Sequence, residues 1–197
     1  MSNKANLFPI PVKGYGLQSV SNNLQEISQH IQSIDYSDQG DYGLSSIDQQ
    51  ILRHPIFNNV VNEIYDCLND YVSECNHRVS GVKIISSWSN IVGYNQLIQP
   101  HVHSNSYVCG VIHLTEGSEL AFRKPNIREL FQIDTDYVSP EGVLVTIPSI
   151  PGQLILFPSN LMHSVIDNTV NNNRLSIAFN TWPKQYGRPT GWVDLND

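Results

Sequence analysis

The sequence predicts a mainly β fold with flanking helices, in which one long helix packs on an antiparallel β-core. Apolar side chains recur every four positions through residues 55–75, which indicates a single amphipathic helix. From residue 80 onward, short apolar runs alternate with Pro and Gly turn signals, which is typical of a β-sandwich or β-barrel. The chain has 197 residues, 40% of them hydrophobic, and is therefore long enough to bury a core without disulfides.

The predicted elements follow in chain order. Leu7–Val12 is a short strand candidate interrupted by Pro9 and Pro11, and Ser37–Gly43 is a polar loop. The helix begins near Pro55, a residue that suits a first helical turn. Seven strand candidates follow: Val82–Trp88, Tyr107–Leu114, Glu119–Phe122, Gly142–Ile147, Gln153–Phe157, His163–Ile166 and Arg174–Trp182. An Asn-rich turn joins the last two candidates, and we expect them to be antiparallel neighbours.

Charge and cysteine content exclude several classes of protein. The chain has 11 Lys and Arg against 18 Asp and Glu, a net charge of −7, and no cluster of basic residues, so we expect no nucleic-acid partner. Three cysteines (Cys67, Cys75 and Cys109) form no CxxC pair and fit free thiols in a reducing compartment. No apolar run is long enough for a membrane span or a signal peptide. We expect a cytoplasmic protein without a membrane partner.

Two histidines, in the segment Pro100-His101-Val102-His103, precede the strand candidate at Tyr107–Leu114. Residues i and i+2 of an extended segment point to the same side, so His101 and His103 can bind one metal ion. The alternative is two surface histidines that are close by chance, because an isolated HxH motif is weak. The motif therefore needs a third ligand to indicate a metal site.

A third histidine and an arginine follow one more apolar strand. His163 lies after the segment 152–159, where the alternative is a histidine satisfied inside an apolar turn. Arg174 begins the last strand candidate, and it shares one face with Ser176, Ala178 and Asn180. An arginine on an inward face needs an anion, since an unpaired buried charge is costly. A carboxylate held by two hydrogen bonds is the natural partner.

The order HxH, then GxLxxFPSxLxHxV, then RxSxxFN resembles the iron(II)- and 2-oxoglutarate-dependent oxygenases. The resemblance is greatest to a small subfamily from bacteria and marine phages, and it extends to Leu7–Pro11, Ser87–Asn90 and Cys109–Val111. It implies a double-stranded β-helix, the jelly-roll core of that superfamily. It also implies one domain over residues 1–197, with N-terminal support (1–80), the jelly-roll (81–183) and a tail (184–197). The location expected is the cytoplasm, including that of an infected bacterial host.

The resemblance also assigns roles to residues. It implies that His101, His103 and His163 are the catalytic iron ligands, although most of the superfamily has a carboxylate where this chain has His103. Arg174 matches the residue that binds the distal carboxylate of 2-oxoglutarate, and Ser176 assists it. The remaining cofactor-binding candidates are His113, which aligns with a tyrosine that contacts the co-substrate, and Asn90, which together with Trp88 lies at the substrate mouth. For His113 a plain packing role is an equal alternative.

The expected reaction is hydroxylation of a C–H bond with O₂, coupled to decarboxylation of 2-oxoglutarate to succinate. The alternatives are a three-histidine iron dioxygenase that uses no 2-oxoglutarate and a non-catalytic jelly-roll that binds metal. The expected substrate is a small molecule or a side chain of a peptide or protein. We expect the segment Arg123–Ser139 to form a loop over the mouth of the barrel. The sequence does not indicate an oligomeric state.

Overall fold

A computed structural model describes residues 10–75, 79–123, 144–166, 168–169, 172–186 and 193–194. The start of the first strand candidate and all but the first residue of the expected loop at 123–139 lie outside these ranges. The described helices are α1 (Gln18–Asn22), α2 (Leu24–Ser33) and α3 (Asn58–Glu74). The strands are β1 (Lys13–Gly16), β2 (Tyr36–Asp38), β3 (Leu44–Ser46), β4 (Val82–Val92), β5 (Ile98–His101), β6 (Val108–His113), β7 (Leu120–Arg123), β8 (Leu144–Ile147), β9 (Gln153–Pro158), β10 (His163–Val165), β11 (Arg174–Pro183), β12 (Gln185–Tyr186) and β13 (Val193–Asp194).

The predicted helix of residues 55–75 is present in two parts. A short 3₁₀ turn, Pro55–Phe57, comes first. The N–H of Ile56 in this turn donates a hydrogen bond to Nδ1 of the His54 ring. The longer helix α3 then carries the apolar stripe, and the buried members of that stripe are Val60, Ile64, Leu68, Tyr71 and Val72. This stripe packs in one core with α2 and with one face of the large sheet.

The strands form two main antiparallel sheets. The larger sheet has the order β1-β9-β6-β11-β4-β3-β2, and the smaller sheet has the order β5-β10-β7-β8. The chain is therefore mainly antiparallel β structure with few helices, as the sequence predicted.

One predicted pairing is wrong. Strands β10 and β11 follow one another in the chain, but β10 pairs with β5 and β7, whereas β11 pairs with β4 and β6. The connection between them leads from one sheet to the other instead of forming a hairpin. Sheet-switching connections of this kind are characteristic of jelly-rolls, and a local turn signal does not distinguish them from hairpins.

The two faces of the large sheet have different neighbours. Leu175, Ile177 and Phe179 of β11 point toward the helices and belong to the main core. Ala178 of the same strand points toward the small sheet and packs in a second apolar cluster. Gly110 lies directly opposite Phe179, and a Cβ atom at this position would overlap the phenyl ring. The alternation of β11 that the sequence predicted is therefore present.

Strand β5 was not predicted, because Pro100 argues against a strand interior. It lies at the edge of the small sheet, which is where a proline is tolerated. None of the helices in the described part of the chain is long and apolar enough to cross a bilayer.

Candidate functional site

Three histidines from the small sheet and its flank converge. His101 ends β5 and His163 begins β10, and the two residues face each other in the register of these antiparallel strands. His103 lies two residues beyond β5, and its Nε2 is 3.0 Å from Nε2 of His101. One ring nitrogen from each histidine lies within 4.8 Å of the other two. The structure therefore brings together the three histidines that the sequence singled out.

Each of these rings has a hydrogen-bond acceptor at Nδ1. His101 Nδ1 lies 2.7 Å from the Gln99 carbonyl oxygen, and His163 Nδ1 lies 2.9 Å from the Leu161 carbonyl oxygen. His103 Nδ1 lies 2.5 Å from Oδ1 of Asn180. A carbonyl oxygen can only accept, so each Nδ1 carries the proton and each Nε2 has a free lone pair. This arrangement is typical of metal-ligating histidines.

Burial keeps two of the rings neutral. His163 is almost inaccessible, and burial lowers its pKa to about 3. Burial also lowers the pKa of His103, partly offset by its hydrogen bond to Asn180. A histidine must be neutral to bind a metal. Three imidazole nitrogens in this arrangement fit a divalent first-row metal with open coordination positions.

Arg174, the first residue of β11, is fully buried and has only neutral partners. Its Nε donates to the Ser118 carbonyl oxygen at 3.0 Å and lies 3.2 Å from the Ser149 hydroxyl. Its Nη1 donates to the Ser176 hydroxyl at 2.8 Å. Among the described residues, no carboxylate pairs with it. Burial lowers the pKa of Arg174 to about 10, so the guanidinium stays charged at neutral pH and lacks a counter-ion.

His113 lies beside Arg174. Arg174 Nη2 donates to His113 Nδ1 at 3.3 Å, so the proton of the neutral ring is on Nε2. That Nε2 is buried and has no hydrogen-bond partner in the part of the chain that is described. Burial, followed by the charge of Arg174, lowers the pKa of His113 to about 3. His113 is thus a neutral residue with one unused donor.

One pocket of about 480 Å³ connects the histidines with Arg174. Ser176 and Asn90, which face each other across β11 and β4, also line it, as does Trp88. The rings of Trp88 and His103 lie 5.5 Å apart between centroids. All the predicted site residues except His113 line the pocket. His113 contacts Arg174 but is not part of the pocket lining.

Several supporting residues were not predicted from the sequence. Ser118 and Ser149 hold Arg174 in place, and Cys109 donates a hydrogen bond to the same Asn180 oxygen that His103 contacts. For Asn180 and Cys109 a signal existed, since both lie on strands whose alternation places them on the inner face. For Ser118 and Ser149, which lie in irregular segments, no local pattern indicated a role.

Residues 86–180 match a protein-family model described as "Putative 2OG-Fe(II) oxygenase". The matched segment contains the three histidines, Arg174 and Ser176. Residues 86–180 are therefore similar to the 2OG-Fe(II) oxygenases. Among curated proteins, no significant match to the chain exists.

Solved structures share the fold of this chain at low sequence identity. HygX from Streptomyces hygroscopicus, solved with nickel, 2-oxoglutarate and hygromycin B, has a TM-score of 0.61 at 13% identity, over 88% of this chain and 83% of HygX. A Pseudomonas putida prolyl-4-hydroxylase has a TM-score of 0.60 at 11% identity, over 87% of this chain and 92% of the hydroxylase. The epimerase SnoN from nogalamycin biosynthesis has a TM-score of 0.63 at 16% identity, over 92% of this chain and 82% of SnoN. The chain therefore has the jelly-roll core of these structures.

Proposed function

We propose that this protein is an Fe(II)- and 2-oxoglutarate-dependent dioxygenase that hydroxylates a C–H bond. One oxygen atom of O₂ enters the substrate, and the other enters the succinate formed when 2-oxoglutarate loses CO₂. Bound Fe(II) supplies the activation of O₂ in such a reaction. The observation that carries the proposal is Arg174, a buried cation with no counter-ion among the described residues, which opens onto the same pocket as three histidines. We also propose that residues 1–197 form one domain.

The three histidines are the proposed iron ligands. His101, His103 and His163 each present a free Nε2 lone pair, because Nδ1 is engaged elsewhere. Three protein ligands leave coordination positions open for a co-substrate and O₂, whereas structural metal sites are usually closed by four ligands. This ligand count supports a reactive centre over a structural one.

Arg174 and Ser176 are the proposed binding site for the distal carboxylate of 2-oxoglutarate. The carboxylate would be the counter-ion that the Arg174 guanidinium lacks among the described residues. A charge-assisted hydrogen bond to a carboxylate is about twice as strong as a neutral one. The Ser176 hydroxyl accepts from Arg174 Nη1, so its own proton is free for a carboxylate oxygen. His113 does not line the pocket, and its proposed contribution is to accept from Arg174 Nη2 and so help to hold the guanidinium at this end.

The rest of the pocket is lined by apolar and polar side chains. Val111, Phe157 and Ala178 are buried, whereas Gln39 and Gln99 are exposed. Among the structural relatives, HygX holds hygromycin B, and a prolyl hydroxylase from Trichoplax adhaerens holds a peptide fragment. We therefore propose a small-molecule or peptide substrate. One of the structural relatives is an epimerase, so the fold alone does not specify the reaction. Hydroxylation, as the type of oxidation, is therefore part of the proposal.

An anaerobic titration of Fe(II) and then 2-oxoglutarate into the purified full chain tests the proposal. We expect a visible charge-transfer band in the wild type. His163→Ala should lose the band because a ligand is gone, and Arg174→Met should shift its appearance to much higher 2-oxoglutarate concentration. A wild type that binds Fe(II) but forms no band with 2-oxoglutarate would favour a three-histidine dioxygenase without this co-substrate. A wild type that binds no Fe(II) would contradict the enzymatic function.

A further inference from the structure

Asn180 links the large sheet to the histidine cluster. Its Oδ1 accepts the Nδ1–H of His103 at 2.5 Å and also accepts from Cys109 Sγ at 3.1 Å. His103 belongs to the flank of the small sheet, whereas Asn180 and Cys109 lie on the paired strands β11 and β6 of the large sheet. Both lone pairs of the amide oxygen are thus used, one on the histidine and one on a thiol.

This support differs from that of the other two histidines. His101 and His163 each bond a backbone carbonyl two residues away in their own segment. No side-chain substitution removes those acceptors. The acceptor for His103 is a side chain 77 residues away in the sequence. The orientation of this one ring therefore depends on a single distant amide.

The direction of the Asn180 amide determines which nitrogen of His103 is available. With Oδ1 toward the ring, Nδ1 keeps the proton and Nε2 keeps its lone pair. With the amide reversed, its NH₂ group would donate to Nδ1, and the neutral ring would carry its proton on Nε2, where a metal has to bind. The thiol of Cys109 favours the first direction, since burial raises its pKa to about 11 and keeps it a donor.

We propose that Asn180 is a positioning residue that holds His103 as a metal ligand through Nε2, and that the Cys109 thiol fixes the direction of its amide. The proposed function supplies the identity of the metal, Fe(II), but the tautomer of His103 is a property of the metal-free protein. Partners of this kind commonly change metal affinity by about 10- to 100-fold when they are removed.

Two measurements on the full chain test this role. The first is ¹⁵N NMR of histidine-labelled, metal-free protein near pH 8, which reports the nitrogen that carries the proton in His103. The second is anaerobic calorimetry with Fe(II) alone. Asn180→Leu removes the acceptor at similar size, and Asn180→Asp retains it. Asn62→Leu, on the exposed side of α3, is the matched control for the same chemical change.

We expect wild type, Asn180→Asp and Asn62→Leu to keep the proton on Nδ1 and to bind Fe(II) within about 3-fold of one another. Asn180→Leu should populate the Nε2–H form and bind Fe(II) about 10- to 100-fold more weakly. Cys109→Ala should give a mixture of the two tautomers. Asn180→Ala replaces the leucine variant if that one does not fold.

An Asn180→Leu protein with an unchanged tautomer or unchanged Fe(II) affinity would overturn the role of Asn180. An equal loss in Asn180→Asp would also overturn it, because shape rather than the acceptor would then matter. If the wild type binds no Fe(II), the proposed function fails, while the NMR comparison still decides whether Asn180 sets the tautomer of His103.

Discussion

Replacing His113 by glutamine should make the stability of the metal-free protein less sensitive to acid. In the folded chain, burial and the neighbouring Arg174 lower the pKa of His113 from 6.5 to about 3. The unfolded chain therefore binds a proton at this position as the pH falls below about 6.5, and the folded chain does not. Stability contributed by the neutral ring is present above that pH and is lost as the pH falls toward 3. Glutamine does not titrate, and its carbonyl oxygen still accepts from Arg174.

The size of this effect follows from the two pKa values. One pH unit within the window costs about 1.4 kcal/mol, so lowering the pH from 7.5 to 5 removes about 2 kcal/mol for His113. Because pH 5 lies well above the folded-state pKa, this loss is governed by the ordinary pKa of the unfolded chain. Buried His163 adds a similar loss, but it does so in the wild type and in the variant alike. The difference between the two proteins therefore isolates His113.

Urea unfolding at pH 7.5 and at pH 5, followed by tryptophan fluorescence, measures the free energy of unfolding for both proteins. We expect the loss on acidification to be about 2 kcal/mol smaller in His113→Gln than in the wild type. An equal loss in both proteins would refute the reasoning, since it would mean that His113 is accessible to a proton in the folded state. Comparing differences between two pH values cancels any general destabilisation by the substitution.

Three further outcomes are expected. Fe(II) affinity, measured by calorimetry, should rise when 2-oxoglutarate is present, because three neutral histidines leave the +2 charge of the metal for the dianion to neutralise; equal affinities would contradict this. Arg174→Met should weaken 2-oxoglutarate binding about 100-fold or more in the same titration, because the variant loses charge-assisted hydrogen bonds worth about 1.5–3 kcal/mol each. A change in affinity below about 5-fold would mean that another residue binds the carboxylate. Gly110→Ala should destabilise the fold by about 1–3 kcal/mol and lower the Tm by several degrees, because the new methyl group overlaps Phe179. Gly16→Ala, where nothing lies within 4 Å of the added atom, should leave the Tm nearly unchanged, and equal Tm values for the two variants would refute the overlap.

The sequence predicted that the candidate site residues lie close together, but it did not predict every strand pairing. His101 and His103 converge because side chains two apart in an extended chain share a side, and Arg174 points inward because its strand alternates polar and apolar residues. Both are local properties, and local pattern is what a single sequence reveals. The same reasoning gave the inner face of β11, including Asn180.

Properties that depend on distant parts of the chain were missed or wrong. The turn before Arg174 looks like a hairpin turn, yet the two strands that it joins lie in different sheets. Strand β5 contains a proline, and the proline is tolerated only because the strand lies at a sheet edge. The bond between Asn180 and His103 joins residues from separate sheets, and nothing in either local sequence indicates it. Tertiary packing decides all three features.

The division of the site between two sheets has a thermodynamic consequence. His101 and His163 belong to the small sheet, whereas Arg174, Ser176 and the acceptor for His103 belong to the large one. Neither sheet alone carries all of these residues, in contrast to small metal-binding modules that fold around their ion. Ligands that bind only when the two sheets are docked stabilise the docked state by mass action. If the proposed function holds, binding of the metal and the co-substrate therefore also stabilises the packing of the two sheets against each other.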